Sequence, residues 1–133
     1  MDLLGNDAVT MALSKGLQFS AARQELIAAN IANVNTPGYK RRDLDVAAFE
    51  KQMAGALGLD TDSERPRDAA SALDSIEPKE ARQDSLFYRP DMGGVDIDRE
   101  MAELSKTSML GAAMSQLLQK RIGAYRLVIR DGR

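Results

Sequence analysis

Starting at Leu13, alternating steps of four and three residues reach Leu17, Ser20, Gln24, Ile27, Ile31 and Val34. That spacing holds one stripe on one face of a helix and predicts an α-helix over about residues 8–33, softened where Ser20 and Gln24 interrupt the apolar run. Strong helix formers in Arg23-Gln24-Glu25-Leu26 reinforce it. A second seam runs through Ile97, Met101, Leu104, Ser108, Gly111, Ser115, Leu118, Ile122, Tyr125 and Ile129. It predicts a helix over about residues 95–130, roughly 50 Å long at 1.5 Å per residue. The expected fold class is therefore all-α: two long terminal helices forming a coiled-coil-like hairpin, with a largely irregular or extended middle.

Residues 34–58 read as a turn and then a short helix, because Phe49, Met53 and Leu57 recur every four residues. From Leu59 to Met92, 14 of 34 residues are charged, and Pro66, Pro78 and Pro90 fall among them. Such a stretch cannot carry a long helix or bury much surface, so residues 59–94 are expected to be flexible or extended. Leu86-Phe87-Tyr88 is its apolar cluster, a short strand or a docking point. At 133 residues the whole chain reads as one domain with a modest core.

The helix ends carry more specific signals. Asp96 suits an N-cap, and Asp98 and Glu100 place further acids where the helix dipole favours them, although Arg99 rather than Glu or Gln stands at the capping-box position. Lys120, Arg121, Arg126 and Arg130 gather toward the other end, again the favoured sign. Between the two helices lies Asn30-Ile31-Ala32-Asn33-Val34-Asn35-Thr36-Pro37-Gly38-Tyr39. Asn tolerates the left-handed conformation that ends a helix, Pro37 blocks continuation and pushes Thr36 extended, and Gly38 suits a turn position with positive φ. Asn30 and Asn33, three apart on one face, are placed to hydrogen-bond the backbone of an adjoining element and so to set where Tyr39 packs. Lys40-Arg41-Arg42 reads as a solvated face, or as a source of salt bridges across a subunit contact.

Thr107 to Gln119 contains no charged residue on any face. A two-helix hairpin would leave much of that perimeter facing water, and small residues at Ser108, Gly111 and Ser115 permit close helix approach. With so charged a middle, the remaining cover is expected from other chains, through self-assembly or co-assembly.

Composition removes other function classes. A net charge of -2 argues against general nucleic-acid binding, which needs a concentrated basic face. The absence of His and Cys excludes Ser-His and Cys-His catalysis and thiolate metal sites, so no enzyme and no cofactor is expected. Asp60-Thr61-Asp62-Ser63-Glu64 begins like a calcium loop, but Arg65 takes the Gly position and Ser71 the bidentate Glu position. Met1 to Asp7 lacks the basic and apolar segments of a secretory signal, and no apolar run is long enough to span a membrane.

The stretch Arg23 to Lys40, ending Asn33-Val34-Asn35-Thr36-Pro37-Gly38-Tyr39-Lys40, closely resembles the N-terminal signature of bacterial flagellar basal-body rod proteins. Val95 to Leu104 resembles the C-terminal signature of a proximal member of that family. Hook and distal-rod relatives usually carry Thr-Gly-Phe in place of Pro37-Gly38-Tyr39 and hold large β-rich domains between their helices, for which the roughly 60 intervening residues here are too few. Met92-Gly93-Gly94 departs from the family's usual Gly-Asn-Asn.

The resemblance implies a structural subunit of the flagellar rod that stacks through its terminal helices into an axial tube. It also implies export by the flagellar type III system without a cleaved signal, and a place in the periplasmic part of the basal body. The implied partners are other copies, other rod proteins, the rod-to-MS-ring adaptor, the MS ring and the export gate; no small-molecule substrate is implied. The candidate functional residues are the turn motif (Asn30, Asn33, Asn35, Thr36, Pro37, Gly38, Tyr39) and the seam (Leu13, Leu17, Ile27, Ile31, Met101, Leu104, Gly111, Leu118, Ile122, Tyr125). A helical-hairpin adaptor or secreted coiled-coil protein that binds one partner is the alternative compatible with the same heptads.

Overall fold

A computed structural model describes residues 8–59, 68–81 and 94–131. They form α1 (Ala8–Ala32), α2 (Val46–Ala56), α3 (Ala69–Asp74) and α4 (Ile97–Asp131), with no strand among the described residues. The fold is all-α. Leu86-Phe87-Tyr88, the calcium-like stretch from Asp60 to Glu64, and Met92-Gly93 lie outside the described residues.

α1 and α4 form an antiparallel hairpin. Gly16 lies against Met114, Gly111 against Ser20 and Gln24, and Asn30 against Glu100, so the numbers of facing residues add to about 130 along the pair. On that register Ala8 faces the neighbourhood of Ile122, and the last two turns of α4 run past the described part of α1.

The face that α4 turns inward is rotated from the expected seam. Leu104, Gly111 and Leu118 are half-buried along the contact, and Tyr125 is half-buried further along α4. The companion positions are Glu100, Thr107, Met114 and Arg121, all buried or half-buried, and not the apolar set one residue further on. Met101 is 51% exposed and Ile122 38%, which corrects their assignment to the seam. The physical reason is polar: Glu100 is drawn inward by Asn30 and Arg41, and a helix turned to bury Glu100 must swing Met101 outward.

α1 is the central element. Gly16, Ser20, Ile27 and Asn30 are buried along it, and Ile27 and Asn30 have no exposed surface. On another flank, Ala8, Met11 and Ala12 pack with Phe49, Met53 and Leu57 of the α2 region around Ala56, Leu73 and Ile76. Phe19 and Phe49 stack with ring centroids 3.9 Å apart. Lys15 donates to the backbone carbonyls of Asp74 (2.8 Å) and Ile76 (3.3 Å), closing the end of α3 onto α1.

α3 is a departure from the expected extended middle. It starts because Asp68 caps it, accepting from Ala70 N at 3.0 Å, and it persists because Leu73 is fully buried and Ile76 nearly so. Full burial of one such side chain contributes about 1.5–3 kcal/mol, enough to hold a short helix despite its charged surroundings. Past it, Leu44 and Glu80 form an isolated antiparallel bridge, with Asp45 N donating to Lys79 O (2.8 Å) and Ala81 N to Asp43 O (2.9 Å).

Candidate functional site

The structured chemistry of the molecule lies where α1 ends, the turn reverses and α4 begins. α1 stops without a left-handed residue, since no non-glycine among the described residues has positive φ. Instead its last turn tightens, with Asn33 N shared between Ala29 O (3.1 Å) and Asn30 O (3.2 Å), and Asn33 Nδ2 returns to Ala29 O at 2.8 Å. Two turns follow: Thr36 N donates to Asn33 O (2.9 Å) and Tyr39 N to Thr36 O (3.2 Å). In the second, Gly38 stands at the third position with φ of 74°, where an L side chain is strained. Asn35, Thr36, Pro37 and Gly38 are exposed; Asn33 and Tyr39 are half-buried.

Asn30 is the hub. Its Oδ1 accepts from Arg42 N (3.0 Å) and from the Tyr39 hydroxyl (3.1 Å). Its Nδ2 donates to Arg42 O (2.7 Å) and to Glu100 Oε2 (2.9 Å). One amide therefore satisfies both backbone groups of Arg42 and ties α1, the reversing chain and α4 together. A buried amide with all these partners is far cheaper than one left short.

Around it runs a chain of ions. Glu103 Oε2 accepts from Arg23 Nη2 (3.0 Å), and Arg23 also makes a two-pronged pair with Asp43 (2.8 and 3.0 Å). Asp43 then accepts from Arg41 Nη2 (2.8 Å), and Arg41 Nε donates to Glu100. Arg41 and Asp43 are each 6% exposed, and Glu100 is fully buried. Planar guanidinium forks suit this, because each spans two carboxylates with fixed geometry.

The titration behaviour follows from the contacts. Burial pushes the Asp43 carboxyl upward, but hydrogen bonds from Arg23 and Arg41, with their charges, outweigh it and hold Asp43 below the usual carboxylate range. The Arg23 guanidinium is held above its ordinary value, chiefly by its hydrogen bond to Asp43. For Arg41, burial alone would lower the value, yet the bonds to Glu100 and Asp43 raise it on balance. At the rim, Arg42 pairs with Glu80 and holds that carboxyl below its ordinary value.

The sequence left Arg41 on a solvated face or in salt bridges across a subunit contact and gave Glu100 only a dipole role; both are interior and pair with each other within the chain. Asp96 does cap α4, accepting from Asp98 N (3.1 Å) and Arg99 N (3.3 Å). Of the seam residues, Ile27 is fully buried, while Leu13, Leu17 and Ile31 are half-buried. Gly111 lies inside the hairpin, where an added Cβ would meet Ser20 Cβ at 3.6 Å. The tightest approach is at Gly16, where a Cβ would fall 2.5 Å from Met114 Sδ. The network roles of Arg23, Asp43 and Glu103 went unassigned. The available signal was that Arg23 and Glu100 each stand one residue from a seam position, Gln24 and Met101.

α4's outward side is unusual. Met109 is 73% exposed, Leu110 53% and Leu117 54%, and Ala112 and Ala113 are exposed beside them. α2 and α3 cover α1, not this face. No helix among the described residues is long and apolar enough to cross a membrane.

A family model described as flagella basal body rod protein matches residues 12–40, the span that ends in the turn and the approach to the ionic network. The chain is 31% identical over 144 aligned positions to the flagellar basal body rod protein FlgB of Escherichia coli K12, covering 95% of this chain and 96% of that protein. It is 34% identical over 120 positions to the FlgB of Salmonella typhimurium LT2, covering 77% and 79%. For the FlgB of Proteus mirabilis HI4320 the identity is 29%, over 89% and 90% of the two chains. An all-α hairpin whose N-terminal helix and turn match the rod-protein model, aligned with these relatives over 77–95% of its length, belongs to the FlgB family of flagellar basal body rod proteins.

Proposed function

We propose that the chain is a structural subunit of the proximal rod, polymerising through its terminal helices into the axial tube that links the export gate and MS ring to the distal rod and transmits torque. One observation carries this reading beyond family membership: the exposed, uncharged side of α4, with Met109, Leu110 and Leu117 in water on a helix already packed against α1. A contiguous apolar face of this kind on a rigid helix suits permanent burial against neighbours. Its contacts are other copies, other rod proteins, the rod-to-MS-ring adaptor, the MS ring and the export gate. The periplasm is its site of assembly, reached through the flagellar type III system without a cleaved signal.

In this reading the ionic network has a mechanical role. It fixes the angle at which the chain leaves α1 and the register of α4 beside it, so that each subunit presents the same outer face. The turn residues Asn30 to Tyr39 thus act on assembly through the shape they impose.

The test is Leu117→Lys in a strain with no other copy. Its helicity by circular dichroism is expected to match the parent, since the residue is outward-facing, while isolated basal bodies lack a complete rod and swimming is lost. Normal rods and normal swimming with that variant overturn the reading.

A further inference from the structure

The contact between α1 and α4 is closed along one edge and open along the other. α2 and α3 pack on the side of α1 that carries Ala12, Lys15 and Phe19, each one residue before a contact position. One residue after the contact positions come Leu17, Gln24 and Ile31, half-buried and without a charge among them. Because the helices are antiparallel, one step forward along each leads to the same side of the pair. This open edge therefore borders Met101, Ser108, Ser115 and Ile122 of α4, also uncharged; Ser115 is half-buried and the other three are exposed. Gln24 marks the border, since its Nε2 lies 3.8 Å from a Cβ placed at Gly111. Two sets of α4 residues thus compete for α1. Glu100, Thr107 and Met114 hold the contact, which buries a carboxylate and leaves the Thr107 hydroxyl without a hydrogen-bond partner among the described residues. The set with Met101 and Ile122 stands one position on, in water.

We propose that α4 has a second seat on α1, reached by rolling toward the open edge through about half of the roughly 100° that one residue subtends. Leu104, Gly111 and Leu118 stay in the contact in both seats. In the second, Leu17 meets Ser115, Gln24 meets Ser108 and Ile31 meets Met101, each pair one step on from the register of Gly16 with Met114 and Asn30 with Glu100. Met101 and Ile122 leave water, and Glu100 returns to it. The Ser108 and Ser115 hydroxyls turn back to their own helix, as Ser105 Oγ does to Met101 O at 2.9 Å. Two ionic anchors on α4 hold the first seat: Glu100 on Arg41 and Asn30, and Glu103 on Arg23. Rolling carries both carboxylates away from these partners, so the anchors part before the helix moves. Packed helix contacts take discrete arrangements, and each seat turns a different strip of α4 outward. The device belongs to the single chain and stands whether or not that chain builds a rod.

The chain contains no cysteine, so single introduced thiols report the seat in the full-length protein. In the otherwise unaltered chain Met101→Cys is expected to react with a maleimide at least about tenfold faster than Thr107→Cys, because reactivity follows exposure. Glu100→Gln/Glu103→Gln cuts both anchors while leaving Arg23 and Arg41 paired with Asp43. In that background the Met101→Cys rate is expected to fall and the Thr107→Cys rate to rise, each at least about tenfold, with helicity by circular dichroism unchanged. A second readout traps the new contact: the disulfide of Leu17→Cys/Ser115→Cys is expected to close faster in the same background than in the parent, and its closed form to keep full helicity. Both thiols speeding up together, which is fraying of α4, overturns the proposal, and so does no change in either rate. A disulfide that closes no faster, or whose closure melts helix, also overturns it. Should Glu100→Gln/Glu103→Gln itself lose helix, the disulfide in the otherwise unaltered chain decides: a fully helical closed form supports the second seat and a melted one overturns it.

Discussion

Asn30 and Glu100, 70 positions apart in the chain, meet through a 2.9 Å hydrogen bond at a point where neither residue has exposed surface. The contact joins the last turn of α1 to the first turn of α4, and the same amide also holds both backbone groups of Arg42. The prediction is that Asn30→Ala destabilises the purified chain by roughly 2–3 kcal/mol, because it leaves a buried carboxylate and a backbone pair short of partners. Asn33→Ala, which loses only the half-buried bond to Ala29 O, should cost about 1 kcal/mol or less. Urea unfolding of the two variants beside the parent compares them; equal costs would remove Asn30 from its place as hub.

The acid side of the stability profile follows from Asp43. Its folded-state carboxyl is held below the ordinary value by Arg23 and Arg41, so the folded state binds fewer protons than the unfolded chain. That contribution is complete above the unfolded value of about 4 and is lost as pH falls through the lower folded value. Glu80, held down by Arg42, adds in the same direction. The urea midpoint is expected to fall as pH drops below about 4, and Asp43→Asn should flatten that fall while lowering stability at neutral pH. A midpoint independent of pH down to the lower end of that window would contradict the network as drawn.

The two glycines of the hairpin interface should behave differently. An alanine at Gly111 meets Ser20 at ordinary contact distance and removes a flexible residue from a helix interior, so Gly111→Ala should stabilise by about 0.5–1 kcal/mol. Gly16→Ala forces Met114 to move and should forfeit most of that gain. In a Met114→Ala background the difference between the two should shrink. Thermal unfolding of the four variants gives the coupling directly.

Thr107 is 3% exposed, and its hydroxyl has no hydrogen-bond partner among the described residues. Thr107→Val keeps the branched shape and removes an unsatisfied buried polar atom, so it should raise stability by about 1 kcal/mol. Thr107→Ser, which keeps the hydroxyl and loses a methyl, should lower it. A destabilising valine would mean that the hydroxyl is engaged.

Much of the fold was legible along the chain because helices are local. Heptad spacing from Leu13 and from Ile97 marked α1 and α4, Asp96 marked a start, and Pro37-Gly38 marked the reversal, each through dihedral preferences or periodicity that act within a few residues. α3 was hidden because six residues give no periodicity, and its stability comes from Leu73 settling against α1 and α2.

What only the tertiary structure decided is the rotation of α4 and the ionic network. A heptad marks a stripe but leaves its edge open by one residue, and here that residue decides between Met101 and Glu100. Burying a carboxylate is unfavourable until a guanidinium is there to meet it, and Arg41, 59 positions earlier, reaches Glu100 only after the turn has reversed and Asn30 has fixed the backbone of Arg42. By itself, then, the sequence determined the two long helices, the short helix after the turn, and where each stops. Their mutual orientation came from long-range pairing, because the free energy of a buried charge depends on a partner that local spacing cannot identify.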